Sequence, residues 1–68
     1  MNEIVFLIEQ APEGGFTARA LGESIYTEAN EWSELEPRIR EATLCHFEEG
    51  SAPRLIRLHF VRDEVFAL

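Results

Sequence analysis

The stretch of sequence that decides the fold is an apolar run, a turn and an alternating run. They read EIVFLIEQ (residues 3–10), APEGG (11–15) and FTARAL (16–21). Proline presets one backbone dihedral and glycines permit a positive φ, so the middle segment has the chemistry of a tight turn. The third run alternates apolar and polar residues, which is typical of a strand. The sequence therefore predicts a β-hairpin at the start of the chain.

The first strand has two apolar faces. Ile4, Phe6 and Ile8 point to one side and Val5 and Leu7 to the other, because successive side chains of a strand alternate. A strand in a half-solvated sheet should instead alternate apolar with polar residues. We therefore expect both faces to be covered, the second one by another subunit.

The remaining runs complete one small α+β unit. Residues 24–28 predict a short third strand, residues 31–48 a helix with an irregular first turn over 31–36, and residues 54–61 a last strand. In that strand, Ile56, Leu58 and Phe60 are expected to face inward. Residues 62–64 interrupt the pattern, and Val65, Phe66 and Leu68 predict a bent extension of the strand. We predict one domain over residues 1–68, an antiparallel sheet of order β-β-β-α-β with the helix on one face.

The helix is predicted from capping residues and an apolar stripe. Asn30, or Ser33 with Glu36, could cap its start, and Gly50 its end. Pro37 would remove a hydrogen bond from a helix interior, which favours a late start. At 100° per residue the stripe contains Trp32, Leu35, Ile39, Ala42, Thr43, His46 and Phe47.

Size and composition favour a partner-stabilised domain. A chain of 68 residues with 46% hydrophobic residues is long enough for one modest core. A core this small is usually stabilised further, for example by a disulfide or a partner subunit. The single cysteine, Cys45, cannot form an internal disulfide, so we expect self-association as a homodimer or tetramer. The sequence contains no apolar run long enough for a membrane span and no signal peptide, so we expect a cytoplasmic protein.

The formal net charge of −7 disfavours direct binding to nucleic acid, whose phosphates attract basic proteins. It suits a basic protein partner.

Residue patterns that could carry catalysis or bind metal favour structural roles. His46 lacks a nucleophile and a carboxylate at a recognisable spacing, so we assign it to packing or a structural hydrogen bond. Cys45 lacks an activating base, so we do not assign it as a nucleophile. Cys45 and His46 diverge by about 100° on a helix and His59 should face away from it, so these residues are not expected to bind one metal ion together. The acidic cluster Glu28, Glu31, Glu34 and Glu36 suits a helix N-terminus. We predict no enzyme activity, cofactor or metal.

Apolar residues in surplus of one small core indicate an interface with a second copy or another protein. The candidates are Val5, Leu7, Tyr26, Leu44, Val65 and Phe66.

Taken together, these segments resemble the HicB-like antitoxin family of bacterial toxin–antitoxin systems. The resemblance is carried by EGGFTA (13–18) in the hairpin, SIYTEAN (24–30) leading into the helix, WSEL (32–35) at its start and RIREA (38–42) within it. Phe47 and Glu48 follow where the family has aromatic residues. The matching region covers about residues 4–49, and residues 54–66 are compatible with the family's closing strand. Pro37 departs from the family pattern.

The resemblance implies a degraded ribonuclease-H-like fold that binds a HicA toxin, an mRNA-cleaving protein, and occludes its active site. Many members carry a C-terminal DNA-binding segment that this sequence lacks, so we do not expect operator binding. The function expected is a non-catalytic protein-binding module. The alternative is an orphan oligomeric domain that binds a small ligand or a metabolic enzyme.

Overall fold

The computed structural model describes residues 2–68 and contains four strands and one helix in those residues. In chain order they are β1 (Glu3–Gln10), β2 (Phe16–Ala20), β3 (Tyr26–Ala29), α1 (Trp32–His46) and β4 (Leu55–Val61). The α+β class predicted from the sequence is confirmed, and β3 begins two residues later than expected.

The sheet has the order β3-β2-β1-β4 and is mixed. β1 pairs antiparallel with β2, and β2 pairs antiparallel with β3. β4 pairs with the other edge of β1 and runs parallel to it, with Leu58 opposite Phe6. The prediction of a fully antiparallel sheet is therefore wrong. The helix between β3 and β4 carries the chain back along the sheet, so β4 runs in the same direction as β3 and β1.

The β1–β2 hairpin turns as its sequence predicts. The amide of Gly14 donates to the carbonyl of Ala11 at 3.0 Å, and the amide of Ala11 donates to the carbonyl of Gly15 at 3.0 Å. Both glycines have a positive φ, 102° at Gly14 and 84° at Gly15, which a residue with a side chain rarely adopts.

The core lies between one face of the sheet and α1. Ile4, Phe6 and Ile8 of β1 are buried there, together with two alanines of β2. The helix contributes Leu35 and Ile39, as its apolar stripe predicts. The complete buried apolar cluster is Ile4, Phe6, Ile8, Ala18, Ala20, Ile25, Ala29, Leu35 and Ile39.

The regular part of the helix begins and ends earlier than predicted, and its cap is neither Asn30 nor Ser33. Glu31 occupies the N-cap position, and its amide donates to Oε1 of Glu34 at 3.2 Å. Pro37 lies inside the regular helix, so the expected irregular turn over 31–36 is wrong. The last helical residue is His46 rather than Glu48, and Gly50 belongs to the following turn. Capping by Glu31 and Glu34 explains the early start, because their pairing satisfies an otherwise free amide.

The helix lies over β3 and β2, which leaves the helix-facing side of β4 partly open. Trp32 reaches across at one end, with its ring centroid 5.3 Å from Phe16 and 5.8 Å from Phe60. Ile56, Leu58 and Phe60 do face the helix side, as expected. However, Ile56 remains 37% and Phe60 39% exposed.

The expected strand extension at the end of the chain is absent. β4 ends at Val61, and residues 62–68 have no regular structure and are all exposed. The molecule is long in one direction, with principal extents of 52 × 20 × 18 Å. A strand would need backbone partners, and none of the described strands pairs with residues 62–68.

Candidate functional site: the open face of the sheet

The sheet face turned away from α1 is not covered by any described element. Registered neighbours share a face, so Leu7 of β1 stands beside Arg19 of β2 and His59 of β4, and Arg19 stands beside Tyr26 of β3. Val5 lies on the same face, one pleat along from Leu7. Val5 and Leu7 are half-buried and Tyr26 is 61% exposed. Three of the six predicted interface residues are therefore brought together here.

Further apolar side chains enlarge this open face. Leu21 follows the last residue of β2, and its amide donates to the carbonyl of Val5 at 2.9 Å. Leu55 and Val61 belong to the same face because they are paired with Glu3 and Glu9. Sequence reasoning missed these three residues. The sequence did contain a signal for two of them. Leu55, Arg57, His59 and Val61 alternate with the inward-facing residues of β4, so Leu55 and Val61 share the outward face with Arg57 and His59.

Carboxylates lie on two sides of the apolar centre of the open face. Glu9 and Glu28 flank Thr17 in one row across β1, β2 and β3. The hydroxyl of Tyr26 lies 3.5 Å from a carboxylate oxygen of Glu28. Glu3 closes the opposite side. This face therefore has an apolar centre with an acidic row at one side, and it also carries Arg19 between Leu7 and Tyr26 and Arg57 beside Val5.

One ion pair on this face joins the two parallel strands. The Nε of Arg57 on β4 donates to Oε1 of Glu3 on β1. This hydrogen bond lowers the pKa of Glu3 below its usual value, and the positive charge of Arg57 acts in the same direction. The pair links the edge strand to the centre of the sheet.

The other predicted interface residues lie elsewhere. Leu44 is 62% exposed on a flank of α1, one turn beyond Arg40. Val65 and Phe66 are 94% and 83% exposed in the segment after β4. The six residues predicted as an interface therefore belong to three surfaces instead of one.

Among the residues considered for catalysis or metal binding, His46 has structural contacts, and His59 lies on the open face, away from the helix. Nε2 of His46 lies 3.0 Å from Oε1 of Glu23, and its ring packs edge-on against Phe47. Cys45 is exposed on α1. In residues 2–68 no group of three or more histidine, cysteine or acidic side chains is arranged to hold a metal ion.

The acidic cluster at the start of the helix does not converge on one point. Glu31 and Glu34 cap the helix, and a carboxylate oxygen of Glu34 also lies 3.9 Å from Arg38. Glu36 pairs with Arg40 at 2.9 Å. Glu28 lies on the open face, away from them. Among the described side chains, no buried polar atom lacks a hydrogen-bond partner. The cluster thus consists of caps and pairs along the helix.

Concavities are also present besides the open face, and two of them are larger than about 300 Å³ among the described residues. One, of about 430 Å³, lies beside the β1–β2 turn and is lined by Ala11, Pro12, Glu13, Gly14, Phe16, Glu28, Ala29, Asn30 and Arg38. The other, of about 360 Å³, is the gap between α1 and the first half of β4. It is lined by Glu36, Ile39, Arg40, Arg54, Leu55, Ile56 and Leu58. Among the described residues there is no helix with the length and apolar character needed to span a bilayer.

Comparison with known proteins connects this chain to a family. It is 38% identical over 67 residues to a UPF0150 protein of Thermotoga maritima, an alignment that covers 98% of this chain and 94% of the relative. The chain belongs to the UPF0150 family. A UPF0150 protein of Archaeoglobus fulgidus is 48% identical over 55 residues, covering 81% of this chain and 82% of that relative. No family model and no solved structure matches the chain.

Proposed function

We propose that this UPF0150 protein is a non-catalytic protein-binding module of the HicB type, which occludes a HicA-like RNA-cleaving toxin with its open sheet face. The observation that carries the proposal is that face, whose apolar centre of Val5, Leu7 and Tyr26 has no covering layer among the described residues. An uncovered apolar patch of this kind on a small domain marks an interaction site.

The acidic row of the face suits a basic partner. Glu9 and Glu28 lie in one row at one side of the apolar centre, Glu3 at the other side is paired with Arg57, and the whole chain has a formal net charge of −7. Complementary charge speeds encounter and fixes the orientation of the partners, and burial of the apolar centre would then supply affinity. A toxin that binds RNA needs a basic surface, so the same surface would be attracted to this face.

Occlusion requires no chemistry from this chain. The proposed partner would lose its activity because its RNA-binding surface is covered, which agrees with the structural contacts made by His46 and by the acidic residues near the helix start. The motif order in the sequence supports the HicB-type assignment. As part of this proposal, the protein acts in the cytoplasm and self-associates.

The test is an RNA-cleavage assay with a purified HicA-like toxin, including one encoded beside this chain. We expect the protein to bind the toxin and to abolish cleavage. Tyr26→Ala should weaken binding about 10- to 100-fold, because aromatic residues at the centre of an interface dominate its affinity. Leu44→Ala is the matched control, since Leu44 is equally exposed but lies on the helix side. If neither binding nor inhibition occurs, the antitoxin role is abandoned.

A second candidate function is an oligomeric domain that binds a small ligand or a metabolic enzyme. The concavity of about 430 Å³ beside the β1–β2 turn favours it, because Glu13, Asn30 and Arg38 supply polar groups around the opening. A neighbouring reading frame for a small basic protein with one histidine would favour the toxin partner over this alternative.

A further inference from the structure

β4 has an edge without a strand partner and a helix-facing side that the described chain covers only in part. It is the last strand of the sheet, so one side of its backbone has no strand partner among residues 2–68. Its helix-facing side chains are only partly covered, because α1 lies over β3 and β2. Exposed apolar edge strands of this length readily pair with another chain.

The gap between α1 and β4 is filled at one end and open at the other. At the end of β4, Phe60 contacts Phe16 and Trp32, with ring centroids 6.2 and 5.8 Å away. At the start of β4 the gap remains as the groove of about 360 Å³. Its floor is apolar, formed by Ile39, Ile56 and Leu58, and Leu44 lies on the same flank of the helix one turn beyond Arg40.

The segment 62–68 has the composition of a docking strand. Val65 and Phe66 are almost fully exposed, and the molecule is 52 Å long but only 20 and 18 Å across. Seven extended residues span at most about 24 Å, so the segment is long enough to cross a neighbouring domain. Large apolar side chains held this far from their own core are unfavourable unless something covers them.

The segment 62–68 and the groove of the same copy lie at opposite ends of β4. The groove lies beside the first half of β4, from Arg54 to Leu58, whereas the segment leaves the opposite end of β4 at Val61. In a second copy related by a two-fold axis, with the two β4 edges antiparallel, the segment of each copy would run past the start of the other β4. A two-fold arrangement of this kind uses the same surface on both copies and closes as a dimer.

The charges of the groove and of the segment 62–68 are also complementary. Arg54 at the groove makes no ion pair with any described residue, and Arg40 stands across the groove in its pair with Glu36. The segment begins with Arg62, followed by Asp63 and Glu64 immediately before its apolar residues. The two acidic residues of the segment outnumber Arg62, and the two arginines of the groove outnumber Glu36, so the segment and the groove carry opposite net charges. Val65 and Phe66 match the apolar floor of the groove.

From these observations we propose that two copies of this chain form a two-fold dimer by exchanging residues 62–68, each segment docking in the α1–β4 groove of the other copy. Phe66 is the main apolar anchor. The inference deepens the self-association included in the proposed function, and it uses a surface different from the toxin-binding face. The open face of the sheet remains free in this dimer.

The first test is the mass of the purified chain by light scattering and analytical ultracentrifugation over a range of concentrations. We expect a dimer. Phe66→Ala should weaken it roughly 100-fold or more, because a two-fold interface loses the anchor twice. Tyr26→Ala is the control and should leave the dimer unchanged. A monomer at every concentration would overturn both the self-association and this inference. A dimer that is insensitive to Phe66→Ala would overturn the inference alone.

The second test is disulfide trapping of the exchanged segment. In a Cys45→Ser background, Ala67→Cys in the segment and Ile56→Cys on the groove floor should form a cross-link between copies, seen as a dimer band without reductant. Ala67→Cys combined with Leu21→Cys on the open face is the matched control and should stay monomeric on the gel. A cross-link within one copy, or equal cross-linking in both variants, would contradict segment exchange.

Discussion

Gly15 lies where the β1–β2 turn meets the end of β3, and no side chain fits there. A Cβ atom at Gly15 would stand 2.7 Å from the carbonyl oxygen of Ala29, while one at Gly14 would meet nothing within 4 Å. Both residues have a positive φ, but only Gly15 has a close neighbour. Comparing the same substitution at the two positions therefore distinguishes the cost of backbone strain from that of steric overlap.

We expect Gly14→Ala to lower the free energy of unfolding by about 1 kcal/mol, the usual cost of a positive φ for alanine. Gly15→Ala should lower it by about 2–4 kcal/mol, because the β3 backbone must also shift. Urea denaturation measures both changes. Equal losses for the two variants would contradict the close approach of Ala29.

The Glu3–Arg57 pair gives the sheet a pH-dependent contact. The pKa of Glu3 is lowered in the folded protein, so the unfolded chain binds its proton more readily. The stability from this pair is therefore complete above about pH 4.3, the ordinary value for glutamate, and is lost as the pH falls through the lowered pKa.

Arg57→Gln should raise the pKa of Glu3 towards its ordinary value, and the difference in stability between variant and parent should shrink in acid. An NMR titration of the Glu3 carboxylate, with denaturation at neutral and acid pH, measures both effects. Arg38→Gln is the control, since Arg38 pairs with Glu34 instead. An unchanged titration of Glu3 in Arg57→Gln would rule out the pair.

At the scale of the elements, α1 tolerates a proline in its second turn. Pro37 has no amide to donate to the carbonyl of Ser33, and its ring crowds that carbonyl. Pro37→Ala should therefore raise the free energy of unfolding by about 1–2 kcal/mol, less than the full interior cost because proline also restrains the unfolded chain. Glu41→Ala, an exposed position on the same helix, should change it little. A loss of stability in Pro37→Ala would show that the proline is favourable at this position.

The elements also show what the sequence could predict. The hairpin followed from the glycine turn between an apolar run and an alternating run, and the helix face followed from Leu35, Ile39 and Thr43. The direction of β4 could have been derived too. A helix between β3 and β4 makes these strands run the same way, and β1 runs parallel to β3, so β4 had to be parallel to β1. The unpaired segment after Val61 could not be predicted, because alternating apolar residues do not reveal whether a backbone partner exists within one copy.

At the scale of the whole molecule, the apolar surplus predicted from composition is divided among three surfaces. Val5, Leu7 and Tyr26 lie on the open face, Leu44 on the helix flank, and Val65 and Phe66 after β4. Periodicity assigns residues to a face of their own element but does not say how far a helix extends over a sheet. Because α1 stops short of β4, the groove and the exposed Ile56 were not predictable from the sequence.

The two proposed interfaces are separate, and each has its own variant. Tyr26→Ala should reduce toxin binding and preserve the dimer, whereas Phe66→Ala should reduce dimerisation. Toxin binding and mass measured on the same two variants would distinguish a partner-binding face from a dimer surface. Loss of both properties in Tyr26→Ala would show that the open face is itself the dimer interface.

The most direct test of the central claim is a titration of the purified protein into the RNA-cleavage reaction of a HicA-like toxin, with binding followed by calorimetry in parallel. The account predicts that cleavage disappears as the toxin becomes saturated with the protein. Full cleavage in the presence of excess protein, whether or not the two proteins bind, would contradict occlusion by the open sheet face.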